Sequence, residues 1–315
     1  MNIHGTRAAT CCKVARMGLL SFILACFSST GPYHKKDGSW YWKDDRMNIK
    51  DSESLTMLTD HFATAAGVAY YRGGVIPGSD AATFRALNDW LAKDAKHVYY
   101  CDTYRKDTEY WLVKRGMAVP IDGADAATFL ALASRYSRDT ARIYWEGQPI
   151  AIKDPATFEV LISSYARDRI TGYYLQVPVE GSDGATFAAV SDFYAKDATH
   201  VWYSGAPDSS GKYMGVITNT VLKDASPTSF TNIDIWYGKD ASHVYHKAAL
   251  LTGVDPASFV VTGSYAKDAT HVFYDGHAVK DVDAASFQWL GAESTPTADA
   301  KDAHGTLLHG ARVSP

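Results

Sequence analysis

The chain has 315 residues, of which 46% are apolar and 21% are charged, and its formal net charge is −4. This apolar fraction at so low a net charge excludes a chain that is disordered throughout, and the length allows one large domain or two ordinary ones. With 31 basic residues against 35 acidic ones, the composition argues against general nucleic-acid binding, which requires a basic surface. Twenty tyrosines and eight tryptophans favour strands and recognition surfaces.

The first 25 residues have the pattern of an export signal. Three basic residues precede an apolar run over residues 17–25, which is too short to span a bilayer but fits the core of a signal peptide. The run ends in Ile23-Leu24-Ala25-Cys26, which resembles the lipobox of bacterial lipoproteins. We therefore predict a signal peptide over residues 1–25 and lipidation of Cys26. An ordinary cleaved signal and an uncleaved leader are the alternatives.

Removal of this signal would leave two cysteines in the mature chain. Cys11 and Cys12 would leave with the signal, and a lipidated Cys26 leaves Cys101 without a partner. Neither a disulfide framework nor a cysteine-based metal site is therefore expected. Residues 26–36 are rich in Ser, Gly and Pro and are predicted to be a tether. We expect an exported protein of the cell envelope, lipid-anchored at the outer membrane or the cell surface.

Two short motifs alternate along the rest of the chain. The segment LAKDAKHVYY at residues 91–100 returns almost unchanged at residues 194–203 and 265–274. Looser copies centre on Asp139, Asp168 and Asp240, and a worn copy covers residues 62–71. The second motif, Asp-x-Ala-Thr/Ser-Phe, occurs at Asp80–Phe84, Asp125–Phe129, Asp154–Phe158, Asp183–Phe187, Asp255–Phe259 and Asp283–Phe287, with a longer version at Asp224–Phe230. These motifs predict a repeat array over residues 37–303, followed by a tail over residues 304–315.

Each motif has a predicted local structure. Lys-Asp-Ala-Thr is a turn between two segments of strand composition, so it predicts a β-hairpin, followed by a Gly-bearing turn and another short strand. Asp-x-Ala-Thr-Phe predicts a helix of one or two turns, with Asp154 as N-cap, Pro155 in the first position, and Phe158 and Leu161 on one face. Because no unit can bury its apolar side alone, neighbouring units must stack.

The predicted fold class is mainly β with short helices. It consists of eight or nine tandem β-hairpin plus short-helix repeats, stacked in an open or irregularly curved array. A closed, propeller-like array is the alternative. The unit length favours the open array, because about 28 residues are few for a four-stranded propeller blade of 40 or more.

These paired motifs resemble the DKNYY repeat family of bacterial envelope proteins. The shared features are the Lys-Asp turn, the His-Val-aromatic-aromatic strand, the Gly turn and the Asp-x-x-Thr/Ser-Phe segment, and they extend over the whole predicted array. The chain departs from the family in having Ala or Thr where the family often has Lys-Asn after the Asp. The resemblance implies an exported or lipid-anchored repeat protein without an established activity, and it implies no catalytic residues.

The repeated polar residues do not predict an enzyme. One histidine recurs per unit, at His97, His200, His243 and His271, whereas a zinc site needs three or four ligands that converge on one ion. The repeated aspartates are equivalent residues, so we do not expect the divergent pKa values of an acid–base pair. Nucleophile, phosphate-loop and dinucleotide motifs are missing from the sequence. We therefore expect no catalytic, metal-binding or cofactor-binding residue.

The aromatic residues are the best candidates for binding. In each His-Val-aromatic-aromatic strand, alternation places Val and the second ring on one face, and His and the first ring on the other. The first ring is aromatic in every copy, while the second becomes His246 once, which favours the first as core and the second as solvent-facing. The candidate ligand-binding rings are Tyr100, Trp145, Tyr174, Tyr203 and Tyr274. The alternative is that this second row covers neighbouring hairpins.

Together these patterns predict a non-catalytic envelope lipoprotein whose array is a binding or scaffold surface. Its expected partners are the membrane, through the lipid anchor, and an envelope glycan or protein. Nucleic acid and cofactors are not expected. The alternatives are a purely structural envelope protein without a specific ligand and, behind it, a glycan-acting enzyme.

Overall fold

The computed structural model describes residues 31–49, 55–104, 115–205, 216–291 and 297–313. Within these ranges the chain forms nine small antiparallel sheets, eight with four strands and the first with three. None of the sheets is closed. The predicted signal peptide and Cys26 lie outside the described residues. No helix in the described ranges is long and apolar enough to cross a membrane.

We number the sheets 1 to 9 in chain order, and within each sheet consecutive strands are neighbours. The strands of sheets 1 to 3 are Tyr33–Lys36, Ser39–Trp42 and Asp45–Arg46; Thr56–Met57, Phe62–Ala65, Val68–Tyr71 and Gly74–Ile76; and Arg85–Ala86, Leu91–Lys93, Val98–Tyr104 and Arg115–Pro120. Those of sheets 4 and 5 are Leu130–Ala131, Tyr136–Arg138, Ile143–Trp145 and Gln148–Ile150; and Glu159–Val160, Tyr165–Arg167, Gly172–Tyr174 and Val177–Val179.

The strands of sheets 6 and 7 are Ala188–Ala189, Tyr194–Lys196, Val201–Gly205 and Thr218–Val221; and Thr231–Asn232, Tyr237–Lys239, Val244–His246 and Ala249–Leu251. Those of sheets 8 and 9 are Val260–Thr262, Tyr265–Lys267, Val272–Tyr274 and His277–Ala278; and Gln288–Trp289, Ala300–Asp302, Gly305–Leu308 and Ala311–Arg312. Units of 28 or 29 residues hold four strands because each strand in them has only two or three residues. The unit length therefore does not argue against four strands per unit.

The array extends beyond its predicted bounds at both ends. Strand Tyr33–Lys36 lies in the segment predicted to be a tether, and strands Gly305–Leu308 and Ala311–Arg312 lie in the predicted tail. The motif is hard to recognise there for two reasons. Sheet 1 has a two-residue turn at Asp37-Gly38, and sheet 9 has Asp299, Thr306 and Leu307 in place of the repeated Tyr, Val and first ring.

The predicted short helices are wrong. Each Asp-x-Ala-Thr-Phe segment is a tight turn, and in the described residues the only helix is a single 3₁₀ turn at Pro155–Thr157. In the turn at Asp183, the carboxylate accepts the N–H of Ala185 and the hydroxyl of Thr186. A strand begins directly after Phe187. A segment this short cannot offset the cost of starting an α-helix, so the Asp side chain closes a turn instead.

The core consists of layers between consecutive sheets. Between sheets 7 and 8, Tyr237 and Val244 of the first sheet pack against Phe259, Ala266 and Phe273 of the second. The same pattern joins every consecutive pair of described sheets. The prediction that the first ring of each strand is core is confirmed, since all six are buried: Tyr99, Tyr144, Tyr173, Trp202, Tyr245 and Phe273.

Candidate functional site

The predicted ligand-binding rings do not form a row that is open to solvent. Tyr174 is buried, and the other four, Tyr100, Trp145, Tyr203 and Tyr274, are half-buried. The expectation assumed that one face of each sheet meets water. Inside the array both faces are covered, because every internal sheet lies between two others.

The turn glycine of the next unit packs against the second ring. A Cβ added at Gly147 would lie 2.5 Å from Cβ of Tyr100, and one at Gly310 would lie 2.8 Å from Cβ of Tyr274. Both glycines also have positive φ angles, 75° and 77°, as the tight hairpin turn requires. The second ring therefore takes part in the stacking of units, which leaves only part of each ring available to a ligand.

The aspartates of the Lys-Asp turns are structural acceptors. Asp168 accepts the backbone N–H groups of Ile170 and Thr171 in its own turn, at 2.7 and 2.8 Å. It also accepts the hydroxyl of Tyr173 at 2.7 Å and the N–H of Asp154, from the preceding turn, at 2.8 Å. One buried carboxylate thus joins the two repeated motifs of a unit.

These carboxylates resemble one another in ionisation as well as in position. Although burial opposes its ionisation, hydrogen bonds from the N–H groups of Asp255, Thr270 and His271 lower the pKa of Asp268 to about 2. The pKa is also lowered at the five equivalent aspartates: Asp94, Asp139, Asp168, Asp197 and Asp240. Because the pKa values of all these carboxylates shift in the same direction, no two of them form the pair with divergent pKa values that acid–base catalysis uses.

The Tyr and Lys of several Tyr-x-Lys strands join one unit to the next. Being two residues apart, they lie on the same face of the sheet. The hydroxyl of Tyr237 accepts the N–H of Gly276 at 3.1 Å, and Lys239 Nζ donates to the carbonyl of Pro256 at 2.7 Å. Equivalent bonds to the following unit are made by Lys93, Arg167, Lys196 and Lys267.

The repeated histidines lie beside their own turns. Nδ1 lies 3.6, 3.3 and 3.3 Å from the turn carboxylate in His97, His243 and His271, and His200 Nδ1 lies 2.8 Å from the hydroxyl of Thr199. Within the described ranges no three His, Cys, Asp or Glu side chains are grouped so that they could hold a metal ion. Cys101 is buried, and burial raises the pKa of its thiol, which makes it a poor nucleophile.

A groove of about 400 Å³ opens between sheets 7 and 8, on the side of the stack that carries the turn glycines. We call it the 7/8 groove. Its polar and aromatic lining residues include Asp234, Trp236, His246, Ser264, Tyr274 and Asp275. Of the five predicted rings, Tyr274 therefore lines this groove.

Trp236 forms an aromatic platform at the groove. It is 38% exposed, and its ring stacks on Phe193 with centroids 5.4 Å apart and planes 22° apart. Phe193 in turn stacks on Tyr203 at 6.2 Å. Lys247 Nζ lies 5.0 Å from the Trp236 centroid and 3.7 Å from the Asp275 carboxylate. The indole is thus held by rigid rings, while a flexible lysine lies over it.

The polar lining of the 7/8 groove is acidic to neutral. Burial, together with the nearby Lys247, lowers the pKa of His246, against the opposing effect of Asp275, so the imidazole is neutral at pH 7. A neutral imidazole donates one hydrogen bond and accepts one. Asp234 accepts the N–H groups of Trp236 and Tyr237, which fixes the loop that carries the indole. This combination suits a polyhydroxylated ligand and disfavours an anion.

A second groove, of about 310 Å³, occupies the equivalent place between sheets 1 and 2. This 1/2 groove is lined by Pro32, Trp42, Lys43, Asp60, His61 and Arg72. Lys43 and Lys247 occupy the same turn position and both have a φ of 54°, whereas Arg72 stands where the 7/8 groove has Asp275. Two equivalent grooves of the array therefore differ in charge.

Trp236, the ring that dominates the 7/8 groove, is not among the predicted binding residues. Trp236 and Phe193 stand immediately before the Tyr-x-Lys strand, as Trp90 does in sheet 3. Other units have Arg135, Ser164 or Ser264 at this position, so its rings do not belong to the repeat. Rings that recur in every unit build the stack. An aromatic ring at a position that varies between units could therefore have predicted the site from the sequence.

Nine short-stranded sheets stacked through repeated Tyr, Lys, Asp and Phe contacts define a β-repeat protein. The profile of the DKNYY family matches residues 10–103 and 165–304, so the chain belongs to the DKNYY family. No match to the chain was found among curated proteins or among solved structures.

Proposed function

We propose that the protein is a non-catalytic envelope lipoprotein whose open array binds a saccharide in the 7/8 groove. The observation that carries this proposal is Trp236, an indole that remains 38% exposed while Phe193 holds it in place. An ordered, exposed aromatic ring beside convergent polar groups is typical of a ligand site.

The lining of the groove favours a neutral or amino sugar. The apolar face of a pyranose ring can stack on the indole in place of the Lys247 side chain. Its hydroxyl groups can donate to the carboxylates of Asp234 and Asp275 and exchange hydrogen bonds with His246. The two carboxylates would repel an anionic sugar.

The open shape of the array is supported by the core. Among the described residues, each of the eight apolar clusters joins two consecutive sheets, and none combines sheet 1 with sheet 9. An open stack leaves its side grooves accessible to a long polymer, which suits a binding or scaffold role at the envelope.

A saccharide titration tests the groove. Chitotetraose is the neutral amino-sugar probe, and an oligogalacturonate of equal length is the anionic comparison. We expect saturable binding of chitotetraose that Trp236→Ala weakens roughly tenfold or more, because the stacking surface is lost. Trp90→Ala is the matched control, since Trp90 holds the same position in sheet 3 and also lies beside a cation, Arg135, but is outside the 7/8 groove. It should change binding less than about twofold.

Other outcomes of the same titration would favour the alternatives. Absence of binding to either probe would favour a purely structural envelope protein. Hydrolysis of a probe that a single substitution such as Asp268→Asn abolishes, with the fold intact, would favour a glycan-acting enzyme.

Export and anchoring at Cys26 are proposed on the sequence pattern before that residue. Two or three acyl chains hold a protein firmly at a membrane, whereas one binds only marginally. We expect labelled palmitate to enter the wild-type chain and Cys26→Ala to move the protein into the soluble fraction. A wild-type chain that takes up no palmitate would contradict the lipid anchor.

A further inference from the structure

We propose that the 1/2 groove is a binding site for a phosphate group, with Arg72 and Lys43 as its ligands. The site lies on the same side of the stack as the 7/8 groove but does not depend on saccharide binding there.

Two permanent cations approach one indole in this groove. Lys43 Nζ lies 4.9 Å from the Trp42 ring centroid, and the Arg72 guanidinium carbon lies 5.9 Å from the same centroid. The Arg72 guanidinium also lies over Tyr71, at 5.4 Å. Rings on one side thus hold both cations at the mouth of a groove that is large enough for roughly ten waters.

The hydrogen bonds of Arg72 are incomplete. Its Nε is buried and has no hydrogen-bond partner in the described part of the chain. One terminal nitrogen donates to Nε2 of His61 at 3.3 Å, so its partner is an imidazole nitrogen and not an anion. Since Nε is closed to solvent, an oxyanion in the groove would bind to the terminal nitrogens of the guanidinium, which have no anionic partner in the described part of the chain.

The hairpin turns fix the positions of these groups. Lys43 and Arg72 both have left-handed backbone conformations, with φ of 54° and 48°, at the first position of their turns. Gly73 follows Arg72, and a Cβ there would lie 2.9 Å from Cβ of Trp42, so the second turn is packed directly on the indole. The two cationic side chains therefore begin from rigid points on opposite walls of the groove.

The equivalent 7/8 groove shows why the charge matters. There Lys247 has a carboxylate partner in Asp275 at 3.7 Å, at the position that Arg72 occupies in the 1/2 groove. In the 1/2 groove Arg72 stands in place of this carboxylate, so among the described residues Lys43 has a second cation near it instead of an ion-pair partner. An oxyanion between them would relieve this repulsion and could accept two hydrogen bonds from the planar guanidinium.

Two acidic residues limit the affinity of the site. Asp60 lines the groove, and Asp89 lies 3.4 Å from Nδ1 of His61. Asp60 is exposed and its backbone carbonyl, not its carboxylate, accepts the Trp42 Nε1–H at 3.3 Å. Removal of the Asp60 charge should therefore strengthen phosphate binding without loosening the groove.

The test uses the full chain with Cys26→Ala and two probes. Inorganic phosphate is titrated calorimetrically, and vesicles of phosphatidylglycerol are compared with vesicles of phosphatidylcholine by co-sedimentation. Arg72→Gln and Lys43→Gln keep much of the side-chain packing while removing the charge. Lys301→Gln removes an exposed charge in sheet 9 and is the control. Near-UV circular dichroism and thermal melting verify that each variant is folded.

We expect Arg72→Gln to weaken phosphate binding roughly tenfold or more, because the two parallel hydrogen bonds of the guanidinium are lost. Lys43→Gln should weaken it somewhat less. Asp60→Asn should tighten binding, and Lys301→Gln should leave it unchanged. Binding of phosphate itself would support a soluble source, and binding of phosphatidylglycerol vesicles alone would support a lipid headgroup. Failure of the wild type to bind either probe, or equal losses in Arg72→Gln and Lys301→Gln, would overturn the site.

Discussion

Sheets 8 and 9 share the Lys-Asp turn but differ on the face that points away from the preceding sheet. In sheet 8 this face carries Tyr265 and Val272, which are buried in the core layer with sheet 9. In sheet 9 the exposed Thr306 stands in place of Val272, and Asp299 stands in place of Tyr265. The Asp299 carboxylate is buried and accepts the Tyr265 hydroxyl of sheet 8 at 2.7 Å. The turn is therefore enough to build a sheet, whereas the Tyr and Val positions decide whether a further sheet can be stacked on it.

The first sheet shows the same change on its opposite face. His34 stands where most internal sheets have Ala, while Tyr41 keeps the first aromatic ring. Both are half-buried, and their rings stack with centroids 5.6 Å apart. Each end of the described array thus carries polar residues on the positions that are apolar inside it, as terminal repeats of stacked proteins require.

The largest difference in stability between an internal interface and an end of the array should follow from substitution of Phe158. Its ring lies between Tyr136 and Tyr173, at 5.4 and 6.0 Å, in the layer between sheets 4 and 5. Phe158→Ala should lower the free energy of unfolding by roughly 3–5 kcal/mol in urea denaturation. Leu308→Ala, on the uncovered face of sheet 9, is the matched change and should cost roughly 1 kcal/mol or less. Equal effects would contradict the layered core.

Acid should weaken the internal turns. Because the pKa of Asp268 is lowered to about 2 in the fold, its contribution to stability is present above its ordinary pKa near 4 and is lost as the pH falls towards 2. The melting temperature of the wild type should therefore fall between pH 5 and pH 2, and it should fall less in Asp268→Asn. At pH 7, Asp268→Asn should cost roughly 1.5–3 kcal/mol, since the acceptor loses its charge. A melting temperature of the wild type that is constant over this pH range would rule out the carboxylates as structural acceptors.

The smallest effect concerns the lysine of the motif. Lys93 Nζ donates to the carbonyls of Ala126 and Phe129 in the next unit, at 2.8 and 3.0 Å, whereas Lys301 is exposed in the last described sheet. Lys93→Met should therefore lower the free energy of unfolding by about 1 kcal/mol and Lys301→Met by less than about 0.5 kcal/mol. Identical losses measured by urea denaturation would show that the lysine does not act between units.

Local chemistry explains which parts of the fold could be predicted. The turn at Asp168 and the strands beside it follow from residues within one motif, and the burial of Tyr173 follows from its constant aromatic character. The helix predicted at Asp154 failed because Asp-Pro-Ala-Thr is compatible with both a helix start and a turn. What decides between them is the strand that begins at Glu159, which leaves no room for a helix.

The rest of the molecule depends on contacts between units. The sequence of one unit does not say what covers its second face, so Tyr174 was expected at the surface although the next sheet buries it. The 7/8 groove likewise needs the stack, because it brings Trp236 of one unit beside Asp275 of the next. The residue type at both positions differs from unit to unit, so no periodic pattern marks the pair.

The strictly pairwise contacts between sheets have a consequence for dynamics. An internal sheet is supported on two sides, while sheets 1 and 9 are supported by one neighbour each within the described array. In such a one-dimensional system the cost of opening a unit depends on how many neighbours it has, so opening begins at the ends and moves inward. Amide hydrogen exchange should then be fastest in the terminal hairpins and slowest near sheet 5, and the 1/2 groove would lie in the part of the molecule that opens most readily.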